Sequence, residues 1–223
     1  MNITPRRVLV VVTRRIGDVL LATPVLRSLK NAWPQAQINA LVFQSSLAAL
    51  SGNRDVDNVV AIPERPALAK HVALLIKIFR RYDLAVSLVA GDRPTFYAYA
   101  AGRRRVGLLL PTRKEAWKRR WLHEWAPYDM AEQHTVLTHL SVLKLLNVAP
   151  IAELAAPMQA GDEPVAANAL ASLNGRRFVV LHPYPKFNYK TWSTTGWVAL
   201  AQWLLGKGVG VVFTGSGDAT EVE

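Results

Sequence analysis

One stretch near the start of the chain, residues 7–29, constrains the fold more than any other. Its first part is a short, mostly β-branched apolar run, which predicts a strand buried on both faces. Its last part carries apolar residues at helical spacing. Between the two lie Arg14, Arg15, Gly17 and Asp18. A turn from a strand into a helix belongs at the carboxyl edge of a parallel sheet, where open α/β folds bind their ligands. The stretch therefore predicts an α/β fold with a polar site at that edge.

Strand and helix patterns alternate over the first half of the chain, which is typical of a parallel, doubly wound sheet. The apolar runs predict strands over 7–13, 37–43, 56–62, 83–89 and 105–108. Helical spacing predicts helices over 18–32, 46–50, 68–82, 95–101 and 132–148. Right-handed crossovers place every strand's carboxyl end on one edge. We therefore expect the Gly17-Asp18 turn and the turn at residues 91–93 to share a cleft.

The strand–helix pattern starts again after residues 151–164, an alanine- and proline-rich stretch that we interpret as a linker. The second part has a predicted helix over 165–173, a strand over 177–182, a helix over 195–205 and a strand over 209–214. We therefore expect one domain over 1–150 and another over 165–223. Because two strands do not make a stable sheet alone, the second domain is expected to be truncated in this chain.

The charge of the chain favours anionic partners: 27 lysines and arginines against 16 acidic residues give a net charge of +11. Residues 103–121 are the most basic, and Trp117, Trp121 and Trp125 recur there at the spacing of one helical face. Three interpretations stay open for this basic segment: nucleic-acid binding, binding of an anionic lipid or saccharide, or a solvated segment with its tryptophans packed inward. No apolar run reaches the ~20 residues of a membrane span, and we expect a cytoplasmic protein without disulfides, since cysteine is absent.

Few residues are candidates for chemistry. A carboxylate at a strand-to-helix turn suits a general base, but Asp18 taken by itself is more easily explained as a helix N-cap. Thr214, Gly215 and Ser216 follow the last predicted strand, where a glycine-rich turn suits a phosphate or ribose, or is simply a turn. Lys186 and Lys190 follow the preceding strand and have the charge to neutralise a diphosphate, although surface lysines usually have no such role. His134 and His139 are five residues apart, which does not make a helical metal site.

Together these segments resemble the lipopolysaccharide heptosyltransferases of glycosyltransferase family nine. The resemblance covers nearly the whole chain and is most specific over residues 15–30, the Trp33-Pro34 turn and residues 52–57. It continues through His182-Pro183, Lys190-Thr191-Trp192, Trp197 and the strand into Thr214-Gly215-Ser216. Residues 88–93 and 187–190 are most similar to the heptosyltransferase III branch.

The resemblance implies a GT-B fold: two Rossmann-like domains with parallel sheets, the first for the acceptor and the second for the nucleotide sugar. It implies inverting, metal-independent transfer of heptose from ADP-heptose to the inner core of lipopolysaccharide, with no cofactor besides the donor substrate. Asp18 matches the catalytic base of the family, Lys190 the lysine at the donor diphosphate, and Glu221 approximately the acidic residue at the donor nucleoside. Lys186, Thr214, Gly215 and Ser216 complete the expected donor side, and Gly17, Arg93 and Arg120 the acceptor side.

The resemblance also implies partners and a location. The acceptor is rich in anionic groups, so the basic segment is expected to hold it or the anionic inner-membrane surface, with the protein peripheral on that membrane. No nucleic-acid partner is expected. The family's later donor loop is absent from these 223 residues, which puts the activity of this chain by itself in doubt. The alternative is a non-catalytic basic protein that binds nucleic acid or an anionic glycolipid. An oxidoreductase is a weaker third reading, because no G-x-G-x-x-G follows the first strand.

Overall fold

A computed structural model describes residues 4–128, 132–159, 161–185 and 188–215. The chain divides into two compact units, Met1–Gln159 and Ala160–Glu223. The boundary falls within the stretch that we expected to be a linker. The first part of that stretch is tied to the first unit: the backbone N–H of Ile151 donates to Ser28 Oγ at 2.8 Å, and that of Ala155 to Thr23 Oγ1 at 3.0 Å.

The first unit is built on one six-stranded sheet, in which all described strand pairs are parallel. Its strands are β1 (Arg7–Val12), β2 (Gln37–Phe43), β3 (Asn58–Ile62), β4 (Tyr82–Ser87), β5 (Gly102–Leu109) and β6 (Glu124–Pro127). They lie in the order β3-β2-β1-β4-β5-β6. This is the order of a doubly wound fold whose topological switch point lies between β1 and β4, so the predicted parallel α/β fold is confirmed.

The helices of the first unit cover both faces of this sheet. They are α1 (Ile16–Leu20), α2 (Thr23–Ala32), α3 (Leu68–Ile78), α4 (Asp92–Ala101) and α5 (Thr135–Leu140), with 3₁₀ helices at Gln44–Leu50, Arg113–Trp121 and Ser141–Leu146. Alternate residues of β1 serve the two cores, because successive side chains of a strand point to opposite faces. Val8 and Val10 pack with residues of α2, whereas Leu9 and Val11 pack with residues of α3 and α4.

The predicted helix over 18–32 is in fact two helices. The chain breaks at Leu21 and Ala22, and Pro24 lies in the first turn of α2, where its missing N–H costs no hydrogen bond. Asp18 is therefore not a helix N-cap: Arg15 occupies that position, without a side-chain cap. The N-cap interpretation of Asp18 was wrong because α1 begins two residues before it.

The three tryptophans of the basic segment, which recur at helical spacing in the sequence, do not lie on one helix. The arginines at 103–105 belong to β5, residues 113–121 form a 3₁₀ helix, and Trp125 lies in β6. The single helix predicted over 132–148 is also interrupted in the structure. The described part begins as α5, capped by the His134 ring, which accepts from the Val136 N–H at 3.3 Å, and it continues as the 3₁₀ helix Ser141–Leu146.

The second unit is a smaller α/β arrangement. It contains α6 (Asp162–Leu170), a 3₁₀ turn at Ala171–Leu173, β7 (Phe178–Leu181), a 3₁₀ turn at Asn188–Lys190, α7 (Thr194–Gly206) and β8 (Gly210–Phe213). Its two strands pair in parallel. The predicted strand–helix–strand unit is thus confirmed over these residues.

Candidate active site

A sharp turn connects β1 to α1 and brings polar residues to the carboxyl edge of the sheet. The backbone N–H of Arg14 donates to the Val12 carbonyl at 2.9 Å, and Ser46 Oγ donates to the Arg14 carbonyl at 2.8 Å. Ser46 belongs to the 3₁₀ helix after β2 and is fully buried. The turn is therefore held by a neighbouring segment of the sheet edge, and not only by its own residues.

Asp18 lies in the first turn of α1 and is partly exposed. Gly17 beside it is exposed, and a Cβ built there would meet nothing within 4 Å. The packing of the first unit therefore does not require glycine at this position. A side chain would instead fill the open space next to the carboxylate, so the glycine leaves room for a ligand to approach.

The turn after β4 forms the other wall of the site. It leads into α4, whose Arg93 donates from Nη1 to the Glu64 carbonyl at 2.8 Å. The Arg93 guanidinium also lies over the ring of Phe43 at the end of β2, 5.3 Å from the ring centroid. These two contacts orient the arginine and leave its remaining donors available for other groups.

The two turns line one cavity of about 550 Å³ at the switch point of the sheet. The expectation that Asp18 and Arg93 share a cleft is thus confirmed. Its lining consists of Thr13, Arg14, Arg15, Asp18, Phe43, Val89, Ala90, Gly91, Asp92, Arg93 and Pro94. Three arginines and two aspartates give this cavity a positive balance that suits an anionic molecule.

The two carboxylates of the cavity have different surroundings. Asp92 Oδ1 lies 2.5 Å from the ammonium group of Lys118, which is 1% exposed and also contacts Glu115. Burial opposes the charge of Lys118, but its hydrogen bonds to Asp92 and Glu115 outweigh this and raise its pKa above the ordinary value. Among the described residues no salt bridge involves Asp18.

The sequence pointed to no role for His139 beyond the rejected metal site, but its side chain is buried near Asp18. It lies on α5, and its Nδ1–H donates to the Leu21 carbonyl, 3.3 Å away, at the break between α1 and α2. Burial lowers the pKa of His139; the Leu21 carbonyl and the charge of Asp18 act in the opposite direction, and Arg14 acts with burial. His139 lies three residues after Val136 on the buried side of α5, and this spacing is the signal that marks it as a core residue.

Four of the eight cations of the basic segment are engaged within the first unit. Arg104 bonds to Glu124 and to the Leu145 carbonyl, and Lys118 is buried. Arg105 lies over the Tyr99 ring and Arg119 over the Trp125 ring, with guanidinium–centroid distances of 5.0 and 4.3 Å. Arg120 is exposed, but it is not in the lining of the cavity that contains Asp18. The structure therefore brings Gly17, Asp18 and Arg93 together but not Arg120.

Other charged residues in the segments that carry the resemblance stabilise the fold of the first unit. Lys30 pairs with Asp57 at 3.0 Å, and the Ile38 N–H donates to the same carboxylate at 2.7 Å. Burial raises the pKa of Asp57, but these bonds outweigh it and leave the pKa below the usual range. Gly52 has a φ of +66°, and a Cβ there would lie 1.7 Å from the Met158 carbonyl oxygen. Residues 52–57 thus fix α2 and the segment after residue 150, which is a structural role.

Within the second unit, the ends of β7 and β8 are tied to each other. His182 Nδ1 lies 2.9 Å from the Thr214 carbonyl and 3.1 Å from its hydroxyl. Thr214 and Gly215 follow β8, and Lys190 ends the 3₁₀ turn after β7, so all three follow the carboxyl ends of the two strands. Lys186, Ser216 and Glu221 lie outside the described residues.

Trp192, which carries part of the resemblance, has a packing role in this unit. A Cβ on Gly196 would come within 2.6 Å of its ring, and the ring packs edge-on against Trp197 at 5.2 Å between centroids. The neighbouring Ser193 caps α7 by accepting from the Gly196 N–H at 3.1 Å. The turn that carries Lys190 is thus followed at once by a fixed helix start.

No group of three or more histidine or acidic side chains is placed to hold a metal ion within the described ranges. None of the helices that the structure describes is long and apolar enough to cross a membrane.

No family model matches the chain, but two curated proteins do. It is 26% identical over 216 residues to lipopolysaccharide heptosyltransferase 3 of Escherichia coli, an alignment that covers 92% of this chain and 63% of the relative. It is 31% identical over 140 residues to the protein of that name from E. coli strain K12. This alignment covers 59% of the chain and 40% of the relative. The chain therefore spans less than two thirds of the length of these relatives.

Solved structures show the same fold. A glycosyl transferase of family 9 from Veillonella parvula superposes with a TM-score of 0.82 at 18% identity, over 100% of this chain and 66% of that one. The E. coli heptosyltransferase WaaC, solved with ADP-2-deoxy-2-fluoro heptose, superposes with a TM-score of 0.70 at 20% identity. This superposition covers 96% of the chain and 70% of WaaC. The E. coli ADP-heptose heptosyltransferase II superposes with a TM-score of 0.69 at 19% identity, over 96% of the chain and 66% of that protein.

Proposed function

Because the chain belongs to the lipopolysaccharide heptosyltransferase family, glycosyltransferase family nine, we propose that its protein transfers heptose from ADP-heptose to the inner core of lipopolysaccharide. The observation that carries this proposal is sequence similarity to heptosyltransferase 3 along 92% of the chain. The cavity at the switch point supports it independently, because it holds a carboxylate without a salt bridge to a described residue amid three arginines. The proposed activity is that of the whole protein, because the chain spans only 63% of the length of this relative.

Asp18 is the general base in this reaction. An acceptor hydroxyl is a weak nucleophile until a carboxylate removes its proton as the new bond forms. The acceptor oxygen then bonds to the anomeric carbon, the bond from that carbon to the diphosphate oxygen breaks, and ADP leaves with the electron pair. Attack from the face opposite ADP inverts the anomeric centre. Asp18 suits this role because it is partly exposed beside the open space over Gly17, whereas Asp92 is bound to Lys118.

The acceptor binds in the cavity of the first unit. Inner-core saccharides carry phosphate and keto-acid groups, and arginine recognises such groups through paired N–H donors. Arg93 is already oriented by Phe43 and the Glu64 carbonyl, and Arg14 and Arg15 line the same space. Arg120 would contact a more distant part of a large acceptor, since it lies outside this lining.

The donor binds the second unit, without a metal ion or cofactor. Lys190 stabilises the charge that develops on the diphosphate, and Thr214 and Gly215 contact the nucleotide from the end of β8. Lys186, Ser216 and Glu221 complete this set. Cations and backbone N–H groups stabilise a leaving diphosphate as a metal ion would. The support is the position of Lys190, Thr214 and Gly215 after the carboxyl ends of two paired parallel strands.

We further propose the two-domain GT-B arrangement for the whole protein. Residues 1–150 would then be the acceptor domain, 151–164 the linker and 165–223 the first part of the donor domain. The family-nine structures that share this fold are longer than the chain, which spans 66% of the V. parvula protein. The proposed location is the cytoplasmic side of the inner membrane, with the protein peripheral on an anionic bilayer.

The alternative, a non-catalytic basic protein for nucleic acid or glycolipid, is not favoured. Its support was the basic segment, but Arg104 and Lys118 of that segment are paired with acidic residues of the same unit. Phosphate binding needs cations that are accessible to the polyanion.

The test is incubation of the purified protein with ADP-heptose and a core acceptor that lacks the transferred heptose. We expect ADP release and a product heavier by one heptose residue. Turnover with a different nucleotide sugar, and none with ADP-heptose, would keep the family and refute the substrate. Salt-sensitive binding of DNA without any nucleotide-sugar binding would instead support the alternative.

A further inference from the structure

Helix α3 presents an apolar stripe to solvent. Leu68, Val72 and Ile76 on the helix and Phe79 just after it are between 45% and 80% exposed. Their spacing of four, four and three residues places them on one side of the helix, within an arc of roughly 80° at 3.6 residues per turn. Scattered exposed apolar residues are ordinary, but four aligned on one helix form a continuous patch.

The fold of the first unit does not require this stripe to be apolar. α3 packs on the sheet through its other side, where Leu74 and Ile78 are buried in the core with Leu9 and Val11 of β1. The helix is thus apolar on two faces, of which the fold uses one. An apolar face left in solvent costs solubility, and such faces mark interaction sites.

The segment that carries the stripe, between Glu64 and Asp83, is rich in positive charge. Between residues 65 and 82 the chain has five cations and no acidic residue: Arg65, Lys70, Lys77, Arg80 and Arg81. All five are exposed, and none forms a salt bridge with a described residue. At the end of α3, Leu75, Ile76, Phe79 and Arg81 line a shallow apolar depression of about 380 Å³.

This combination is the signature of a helix that lies in a membrane interface, with leucine and phenylalanine toward the acyl chains and lysine and arginine toward anionic headgroups. A protein partner would have to bring a matching acidic rim, whereas an anionic bilayer supplies negative charge along the whole border. The basic segment at 103–121 fits a bilayer less well, since several of its cations are engaged inside the unit.

We propose that the exposed face of α3, namely Leu68, Val72, Ile76 and Phe79 with their basic border, docks the protein on an anionic lipid bilayer. The proposal rests on the proposed function in one respect: a lipid-anchored acceptor explains why the protein needs to be at a bilayer. It locates the contact on α3, whereas the sequence pointed to the basic segment.

The experiment is flotation of the protein with vesicles of phosphatidylcholine alone or with an equal part of phosphatidylglycerol. We expect binding to the anionic vesicles, weakened by salt. The double variant Val72→Ser/Ile76→Ser is expected to bind roughly tenfold or more weakly, because it loses the inserted aliphatic groups. The variant Lys70→Gln/Lys77→Gln is expected to lose about fivefold per charge, on anionic vesicles only.

Matched controls lie elsewhere on the first unit. Leu110→Ser/Leu137→Ser removes two aliphatic side chains that are also exposed, and Arg113→Gln/Lys114→Gln removes two exposed cations of the basic segment. Both controls are expected to bind as the unchanged protein does. All substituted side chains are exposed, and circular dichroism of each variant is the check that it is folded.

Three results would overturn the proposal. The first is unchanged vesicle binding by both α3 variants. The second is an equal or larger loss in the controls, which would assign the contact to another surface. The third is a dimer that dissociates on the α3 substitutions without any vesicle binding, which would make the stripe a contact between two copies. ADP-heptose binding, measured alongside, separates this proposal from the function: donor binding without vesicle binding refutes only the membrane contact.

Discussion

The two units use the same kind of strand in opposite surroundings. In the first unit five of the six residues of β1 are buried. In the second unit the equally apolar β7 buries only Leu181, while Phe178, Val179 and Val180 are exposed. β8 likewise exposes Phe213. The local sequence signal is the same for both units, but among the described residues helices cover the strand on both faces only in the first unit.

The difference shows what a β-branched run specifies. It specifies an extended segment with apolar side chains on both faces, and layers of helices must then cover those faces. The first unit has these layers on both sides of six strands. The second has two strands, and a two-stranded sheet is marginal in water. We infer that β7 and β8 need further layers to bury their apolar faces, whereas the first unit covers its strands and its cavity with its own helices.

The largest expected effect tests whether the chemistry belongs to the first unit. Replacing Asp18 by Asn removes the proton acceptor with little change in shape. We expect kcat for heptose transfer to fall by about 10² to 10⁴, the contribution of a general base. Steady-state kinetics measures kcat, and calorimetry is expected to show unchanged ADP-heptose affinity. A variant with near-normal turnover would remove Asp18 from the mechanism.

The next effect compares the two cores directly. Leu41→Ala in β2 deletes a fully buried side chain and is expected to cost about 2–5 kcal/mol of unfolding free energy. Val180→Ala in β7 deletes a side chain that is 53% exposed, and its cost is expected to stay within about 0.5 kcal/mol. Hydrogen exchange followed unit by unit measures both, with lower protection expected in β7 and β8 of the unchanged protein. A large loss for Val180→Ala would mean that β7 is covered in solution.

A smaller effect tests the donor role of the second unit. Lys190→Gln removes a positive charge from the turn after β7, and a hydrogen bond to a charged group is worth about 1.5–3 kcal/mol. We therefore expect ADP-heptose affinity to fall by roughly 10- to 100-fold, while binding of the acceptor alone is unchanged. Lys207→Gln, after the end of α7, is the control. Equal donor affinities for the two variants would argue against a diphosphate contact by Lys190.

The smallest effect concerns the pH dependence of the first unit. Because burial lowers the pKa of His139 in the folded state, the unfolded chain takes up its proton more readily. The stability that neutral His139 contributes is present above about pH 6.5 and is lost as the pH falls through the folded pKa. One group changes the unfolding free energy by at most about 1.4 kcal/mol per pH unit.

His139→Gln is therefore expected to flatten the stability profile below pH 6.5. Urea unfolding at a series of pH values measures this slope. Part of it should persist, because burial and Arg105 also lower the pKa of His123. A profile that is unchanged in the variant would show that His139 does not titrate on unfolding.

The sequence predicted those parts of the fold in which local pattern and tertiary packing agree. The apolar runs of β1, β2 and β4 were found, and right-handed crossovers were enough to place Asp18 and Arg93 at one edge. β5 was predicted as 105–108 instead of 102–109, because Arg103 and Arg104 interrupt the apolar pattern at its start. Glu124, 20 residues further along the chain, bonds to Arg104 in the folded unit.

The same limit applies to the candidate site. The pairing of Lys118 with Asp92 and the contact of His139 with Leu21 join residues far apart in the chain, and no local pattern announces them. The tryptophan spacing of four does not give one helical face, because residues 113–121 form a 3₁₀ helix with three residues per turn and Trp125 lies in β6. The donor roles of Lys190, Thr214 and Gly215 stay predictions from the resemblance.

The shortness of α1 affects which amino-acid substitutions the protein tolerates. A five-residue helix gains almost no stability from its own hydrogen bonds, so the place of Asp18 depends on neighbours such as Ser46 and His139 that hold the ends of its segment. In a mutational scan selected for activity, positions 46 and 139 should therefore tolerate substitution as poorly as residues that contact the sugar. Adaptation of the enzyme to a new acceptor would then proceed through residues 14, 15 and 93, which line the cavity.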